Sequence, residues 1–276
     1  MIKDICVYLD GEEYDAGRLD VAGQVAGMFD AFVAGAYLNV IPDFQATGGF
    51  AFGAIEIDSI YEELRRKGDS DMEKLRPLLD RLALRSELSR LEVAEPVARQ
   101  VLVNEARYYD LFIATRPYGT DTDVSGLTEA VLFGSGRATL LVPPEGEPRF
   151  NPETVVIAWR NTREAARAVS EAMPFLKRAQ NVVVCMIGNG DKSSAEKAAE
   201  GTDLARHLDR HGVPVQLNPV SRGRGEAETL LEEAALANAG LLVMGGYGHS
   251  RLRQWVLGGM TRGVLSQASM PVLIAH

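Results

Sequence analysis

Cysteine is scarce in this sequence. The 276-residue chain contains two cysteines, Cys6 and Cys185, and each lies inside a short apolar run. Isolated cysteines in apolar runs are typical of small buried side chains in a reducing compartment. The pattern argues against a fold that depends on disulfide bonds.

Long hydrophobic runs are also missing. No apolar segment approaches the ~20 residues that a membrane-spanning helix requires. The N-terminal sequence MIKDICVYLDGEE reaches charged residues too early for a secretory signal. We therefore expect a cytoplasmic protein that neither crosses nor enters a membrane.

Positive charge is in deficit, with 29 basic against 38 acidic residues and a net charge of −9. A broad electrostatic attraction to nucleic acid or anionic lipid is not expected, and any anion site must be local. The hydrophobic content of 46% is that of a globular protein, and the length allows two domains of ordinary size.

The second half of the sequence alternates short apolar runs with amphipathic segments. The apolar runs predict strands, and the segments in which apolar residues recur every three or four positions predict helices. Strands that alternate with helices form a parallel sheet covered on both faces, an α/β fold. The predicted strands are 154–159, 181–186, 213–220, 240–244 and 271–275, and the predicted helices are 162–177, 194–211, 226–238 and 250–266.

The first half repeats this plan less clearly. Its predicted strands are 4–9, 36–41, 88–93, 111–115 and 139–142, and its predicted helices are 22–32, 55–84 and 97–108. Because LFIAT at 111–115 matches LLVMG at 241–245, an internal duplication is indicated. The Pro-rich segment 143–152 predicts a linker between domains 1–143 and 152–276. Residues 44–53 predict a loop without a stated role.

A glycine-rich segment, GGYGHSRLRQWVLGG, runs from Gly245 to Gly259 directly after a predicted strand. Glycines let backbone N–H groups converge on an anion where the next helix presents its positive end. A turn of this kind also arises from helix–strand packing alone. Both interpretations, a phosphate site and a structural turn, stay open at this point.

The spacing of these glycines resembles the universal stress protein family. Members that bind ATP have a glycine, two residues, a glycine, nine residues, a glycine and then Ser or Thr. Gly245, Gly248 and Gly258 keep this spacing, and Gly259 replaces the hydroxyl residue. Both halves resemble the family, and the chain looks like a tandem member. The resemblance implies two doubly wound five-stranded parallel-sheet domains, similar to adenine nucleotide alpha hydrolases, packed as a pseudo-dimer through their last strands.

The resemblance further implies a site for ATP or AMP across the carboxyl ends of the C-terminal strands. Phosphates would meet the glycine motif, with side-chain donors added by His249 and Ser250, and the base would be bordered by Ala158, Trp159 and Met186. Arg160 stands where the family commonly has an Asp, so it either pairs with a phosphate or fills the pocket of the missing carboxylate. The predicted nucleotide-binding residues are Ala158, Trp159, Arg160, Met186, Gly245, Gly248, His249, Ser250, Gly258 and Gly259.

The corresponding motif of the first half is incomplete. Asp10 and Gly11 are kept after the first strand, but Thr115 and Tyr118 stand where the family has two glycines. We therefore expect a degenerate site in the N-terminal half.

Three functional hypotheses follow. In the first, the protein acts in a stress response and changes its binding to an unknown protein partner when an adenine nucleotide occupies the C-terminal domain. In the second, both pockets have decayed and the chain is a nucleotide-free scaffold. Slow nucleotide hydrolysis is least favoured, because no Walker loop or Ser-His-Asp set can be assigned. His207 and His211 have metal-pair spacing without a third ligand, so no metal is predicted.

Overall fold

The computed structural model describes residues 1–43, 54–118, 126–144, 150–186, 194–219, 225–246 and 259–276. Over these residues the chain alternates ten strands with eight helices. The order is β1 (Asp4–Leu9), α1 (Asp15–Phe29), β2 (Phe32–Ile41), α2 (Ala54–Asp80), β3 (Ser86–Ala94), α3 (Glu95–Ala106), β4 (Leu111–Thr115), α4 (Leu127–Gly134), β5 (Ala138–Val142), β6 (Thr154–Trp159), α5 (Arg163–Leu176), β7 (Asn181–Met186), α6 (Ser194–Arg210), β8 (Val215–Pro219), α7 (Glu226–Leu236), β9 (Leu241–Gly245), α8 (Gly259–Gln267) and β10 (Val272–Ala275).

All ten strands belong to one sheet, in the order β3-β2-β1-β4-β5-β10-β9-β6-β7-β8. Neighbouring strands are parallel within each half, and the central pair β5 and β10 is antiparallel. Each half therefore has the same five-stranded, doubly wound arrangement, in which its first strand lies beside its fourth. This confirms the predicted α/β fold of two related halves.

Helices cover both faces of the sheet. One hydrophobic cluster is formed with α1, α2, α5 and α6, and the other with α3, α4, α7 and α8. Strands covered on both faces have no polar side, which explains the continuous apolar runs such as TVVIAW at 154–159.

The two halves meet at β5 and β10, as the pseudo-dimer model predicts. Leu141 pairs with Val272 and Leu140 pairs with Leu273, and all four side chains are buried. The interface continues through the helix layer on one face, where Phe175 of α5 makes edge-to-face contacts with Phe29 and Phe150.

On the other face a buried arginine links the halves. Arg116, directly after β4, donates from Nη1 to the carbonyl oxygen of Leu265 in the last turn of α8, at 2.9 Å. A cation at a helix C-terminus satisfies a carbonyl that has no partner within the helix and interacts favourably with the helix dipole. Arg116 thereby fixes α8 to the N-terminal half.

Most predicted strands agree with the structure, and four of them have the observed bounds: β1, β4, β6 and β7. The predicted ends of two helices are also confirmed. Thr162 is the N-cap of α5, where its side chain accepts a hydrogen bond from the Ala165 N–H. Gly212, with φ +75°, follows α6 in a left-handed conformation.

In the N-terminal half the predicted bounds are wrong for one strand and one helix, and a further helix was not predicted. The strand predicted at 36–41 begins at Phe32, which pairs with Asp4. The helix predicted at 22–32 runs over Asp15–Phe29, because Asp30 adopts a left-handed φ of 51° and ends it. Helix α4 was not predicted.

Some predictions fall on residues that the structure does not describe, and the predicted domain division is not tested. Residues 44–53 and 250–258 lie outside the described residues, and the described part of the last helix begins at Gly259. The division into domains 1–143 and 152–276 stays a prediction. Among the helices that the structure describes, none is both long and apolar enough to cross a membrane.

We predict that the aromatic contact between the halves is important for stability. Phe175→Ala removes a fully buried ring and should lower the free energy of unfolding by about 3–5 kcal/mol. Urea unfolding followed by circular dichroism measures the loss. Leu236→Ala is the control, because Leu236 is 82% exposed and its truncation should change stability little. Equal losses in the two variants would contradict the prediction.

Candidate functional site

The candidate site lies where the strand order of the C-terminal half reverses. β6 is followed outward by β7 and β8, whereas its other neighbour is β9, so the connections after β6 and β9 leave in opposite directions. Crevices that bind ligands in open α/β sheets form at the carboxyl ends of such strands. Trp159 is the last residue of β6 and Arg160 follows it, and Gly245 is the last residue of β9. The fold therefore brings these predicted residues to one edge of the sheet.

Gly245 is required by a close approach of backbone. A Cβ atom at this position would lie 2.5 Å from the Ala165 nitrogen and 2.7 Å from the Glu164 carbonyl carbon, both in the first turn of α5. No side chain fits at such distances, and the contact is to backbone that cannot rotate away. Gly245 therefore places the N-terminal turn of α5 against the end of β9, which is the packing role left open by the sequence.

Arg160 makes an internal ion pair. One of its terminal guanidinium nitrogens, Nη2, lies 3.3 Å from Oε2 of Glu226, the first residue of α7. The two side chains are 36% and 38% exposed, so the pair is open to solvent and weakly stabilising. The guanidinium has five N–H donors, and this bond uses one of them. A phosphate at this edge would have to share Arg160 with Glu226.

The three residues predicted to border a base do not share one face of the sheet. Ala158 is buried in the cluster with α7 and α8, on the same face as its register partner Met244. Trp159 and Met186 are register partners and pack on the opposite face, toward α5 and α6. The structure brings Trp159 and Met186 together and separates Ala158 from them.

The remaining predicted residues fall on the glycine motif. Gly248, His249, Ser250 and Gly258 lie outside the described residues. Gly259 is the first residue of α8, and a Cβ atom there would have no heavy atom within 4 Å. Gly259 thus differs from Gly245, because nothing among the described residues packs against it.

Glu226 was not predicted to be part of this edge. It is 66 residues from Arg160 along the chain. The only local signal was its position at the start of a predicted helix, where acidic residues are common for reasons of helix stability.

The equivalent edge of the N-terminal half is filled by its own charged side chains. Arg18, 1% exposed, contacts Oδ1 of Asp10 and Oδ1 of Asp15, each at 2.5 Å. Asp15 also accepts the backbone N–H of Gly11 at 2.8 Å. Two carboxylates and one guanidinium leave one net negative charge in this buried group.

A second cluster closes the space next to Gly11. A Cβ atom on Gly11 would lie 2.5 Å from Oδ2 of Asp71, a buried residue of α2. The Asp71 carboxylate accepts hydrogen bonds from the Tyr37 hydroxyl at 3.0 Å and from Lys67 and Lys74 at 2.9 Å each. These hydrogen bonds, led by the one from Lys67, hold the pKa of Asp71 below its ordinary value even though burial opposes them. Helix α2 is thereby anchored over the end of β1.

We predict opposite outcomes for alanine at the two described glycines of the motif. Gly245→Ala should lower the free energy of unfolding by about 2 kcal/mol or more, because the backbone of α5 must move. Gly259→Ala meets no atom of the described residues and should change it by less than about 1 kcal/mol. Urea unfolding of both variants measures the difference, and a Gly245→Ala protein as stable as the wild type would contradict it.

We predict that Asp15 makes stability depend on pH. Burial raises the pKa of Asp15 to about 6 from its ordinary value of 3.8, although Arg18 acts to lower it. Between these two values the folded state binds a proton that the unfolded state does not, so the contribution of Asp15 to stability rises as the pH falls. The wild type should therefore gain stability relative to Asp15→Asn between pH 7 and pH 5, in urea unfolding at both values.

The control for this experiment is Asp20→Asn, at an exposed position of the same helix. The difference between this variant and the wild type should be the same at both pH values. A wild type that loses stability relative to Asp15→Asn on acidification would overturn the prediction.

Comparisons with known proteins agree with this architecture. The model of the universal stress protein family matches residues 152–276. No curated protein matches the chain. A solved universal stress protein from Archaeoglobus fulgidus is 14% identical with a TM-score of 0.73, covering 99% of this chain and 97% of that one.

Two solved proteins from Pseudomonas aeruginosa also match over the whole chain. One, described as a putative universal stress protein, is 14% identical with a TM-score of 0.57 and covers 99% of this chain and 93% of that one. The other, described as functionally unknown, is 14% identical with a TM-score of 0.52 and covers 99% and 92%. The C-terminal half of this chain, residues 152–276, belongs to the universal stress protein family, and the whole chain has the tandem fold of universal stress proteins.

Proposed function

We propose that the protein binds an adenine nucleotide, ATP or AMP, at the carboxyl edge of its C-terminal half. In this proposal the nucleotide changes binding to a protein partner in a cytoplasmic stress response. The observation that carries the proposal is the reversal of strand order at β6 and β9, because ligand-binding crevices of open α/β sheets form at such carboxyl ends. Membership of residues 152–276 in the universal stress protein family supports it.

The electrostatics of this edge suit an anion. Helices α5 and α7 begin at this edge, α5 directly after its N-cap Thr162 and α7 at Glu226. Each helix start presents backbone N–H groups and a partial positive charge. Among the described residues, no heavy atom lies within 4 Å of the Cβ direction of Gly259. A phosphate group fits this combination of charge and space.

Arg160 supplies the side-chain cation in the proposed site. Its guanidinium lies at the end of β6 and is about one-third exposed, so it can reach a ligand at the edge. The Glu226 carboxylate competes for it at 3.3 Å. A bound phosphate would therefore replace the Glu226 carboxylate at Arg160 or share the guanidinium with it. Either change makes binding weaker than it would be to an unpaired Arg160.

The proposed base site is apolar. Trp159 is partly buried, and Met186 beside it is 6% exposed, with its sulfur packed against Gly201 of α6. An indole ring at a strand end offers a large flat apolar surface to a purine. Ala158, on the other face of the sheet, contributes packing below the edge.

We predict that removing the competing carboxylate strengthens nucleotide binding. Glu226→Gln should raise the affinity for ATP about fivefold, because the Arg160 charge is no longer shared, and Arg160→Gln should lower it by a similar factor. Isothermal titration calorimetry with ATP, ADP and AMP measures both changes.

Glu228→Gln is the matched control, because Glu228 lies in the same first turn of α7 and is not part of the Arg160 ion pair. It changes the net charge equally and should leave the affinity nearly unchanged. Equal effects of the two substitutions would show that net charge alone acts, and would remove Arg160 from the site.

A second candidate function is a nucleotide-free scaffold. The ion pair of Arg160 with Glu226 and the filled edge beside Gly11 favour it, because both place protein side chains where ligands would bind. This candidate predicts no heat and no thermal shift with millimolar ATP, ADP or AMP. Under the first proposal both the heat of binding and the thermal shift respond to at least one of the three nucleotides.

A further inference from the structure

A groove lies between α5 and α6, away from the glycine motif. Its cavity has a volume of about 420 Å³, within the range of small-molecule sites in proteins. The groove is lined along α5 from Ala166 to Met173 and along α6 from Leu204 to His211. Seven residue-to-residue steps of helix on either side correspond to a length of about 10 Å.

The floor of the groove is apolar. Val169 and Leu204 are buried, and Met173 and Trp159 are partly buried against the same hydrophobic cluster. Aliphatic and thioether groups beside an indole form a surface that suits a hydrocarbon chain or ring. The floor therefore selects for an apolar body.

Each polar side chain of the groove can donate a hydrogen bond. The Trp159 indole Nε1 is buried and has no acceptor within hydrogen-bond distance among the described residues. Indole N–H is a donor only, so a partner must supply an acceptor. Ser170 and the imidazoles of His207 and His211 lie on the exposed rim. The centroids of the two imidazole rings are 4.8 Å apart, in an edge-to-face contact.

No carboxylate lines the groove among the described residues. A hydroxyl and two imidazoles without a competing acid favour a ligand that carries acceptor oxygens and negative charge. A metal ion is not favoured, because the described residues contain no cluster of three or more His, Cys, Asp or Glu side chains. The rim therefore selects for a carboxylate on the apolar body.

The N-terminal half closes its equivalent space. A Cβ atom on Gly23 of α1 would lie 2.8 Å from Cδ2 of Leu82, directly beyond α2, so the leucine side chain fills the position between these helices. Leu82 packs against the same hydrophobic cluster that covers this face of the sheet. The open groove is thus a property of the α5–α6 pair and does not follow from the fold alone.

We propose that the groove between α5 and α6 binds an amphipathic monocarboxylate, an apolar chain or ring of about ten carbons or fewer with one carboxylate group. The apolar body lies on Val169, Met173 and Leu204, and the carboxylate accepts hydrogen bonds at the rim from His207, His211 or Ser170. The groove shares Trp159 with the proposed base site and extends from there along α5 and α6, away from the glycine motif, and its test requires no nucleotide.

The test uses octanoate as the probe and 1-octanol as its uncharged counterpart, in calorimetric titrations of the full chain. Octanoate should bind, and it should bind about tenfold more tightly than 1-octanol, because only the carboxylate makes charge-assisted hydrogen bonds. Absence of octanoate binding at millimolar concentration would overturn the proposal. Equal affinities for the two probes would overturn the assigned role of the rim.

Two variants locate the binding. Ala166→Trp places a large ring over the groove from an exposed position and should abolish octanoate binding. Ala235→Trp makes the same change at an exposed position of α7, on the opposite face of the sheet, and should leave binding intact. Binding that survives in Ala166→Trp would place the ligand elsewhere on the protein.

The double variant His207→Leu/His211→Leu tests the rim. Both residues are exposed, so the fold should be kept. Octanoate affinity should fall about tenfold while 1-octanol binds as well as before or better. An unchanged preference for octanoate would exclude the two histidines as carboxylate donors.

Discussion

The antiparallel pairing of β5 with β10 is the contact on which the rest of the fold depends. Without it, each five-stranded sheet would end in a strand of apolar residues with unpaired backbone groups. With it, both strands are central, and helices from the two halves pack against each other on either side. The Phe175 cluster on one face and the Arg116 bond to Leu265 on the other hold the sheets in register.

The carboxyl edges of the two halves carry different side chains, although the strand arrangement of the two halves is the same. At the end of β1, Asp71 and its three donors occupy the space next to Gly11. At the end of β6, Arg160 reaches across to the first residue of α7 and stays partly exposed. Among the described residues, the first edge is closed by a network around the buried Asp71 carboxylate, whereas the second carries a solvent-exposed ion pair.

Strong local patterns predicted the fold well, and weak ones did not. The run 154–159 is apolar throughout because β6 is covered on both faces, and its bounds followed directly. β2 begins at Phe32 with small residues such as Ala34 and Gly35, which carry little hydrophobic signal. Helix α1 begins at Asp15 because its Arg18 is buried against Asp10, a contact that periodicity does not reveal.

The same limit applies to the candidate site. Arg160 and Gly245 were located by their strand ends, but the partner Glu226 and the packing of α5 on Gly245 are contacts between distant segments.

Covalent linkage of the two halves has a consequence for how such a protein can change. In a homodimer of identical subunits, every substitution occurs at both edges, so a substitution that closes one closes the other as well. In this chain each edge is encoded by its own residues, so the Asp71 network of the first half does not restrict which residues the second half can have. A substitution can therefore close or open one edge of this chain and leave the other edge as it was.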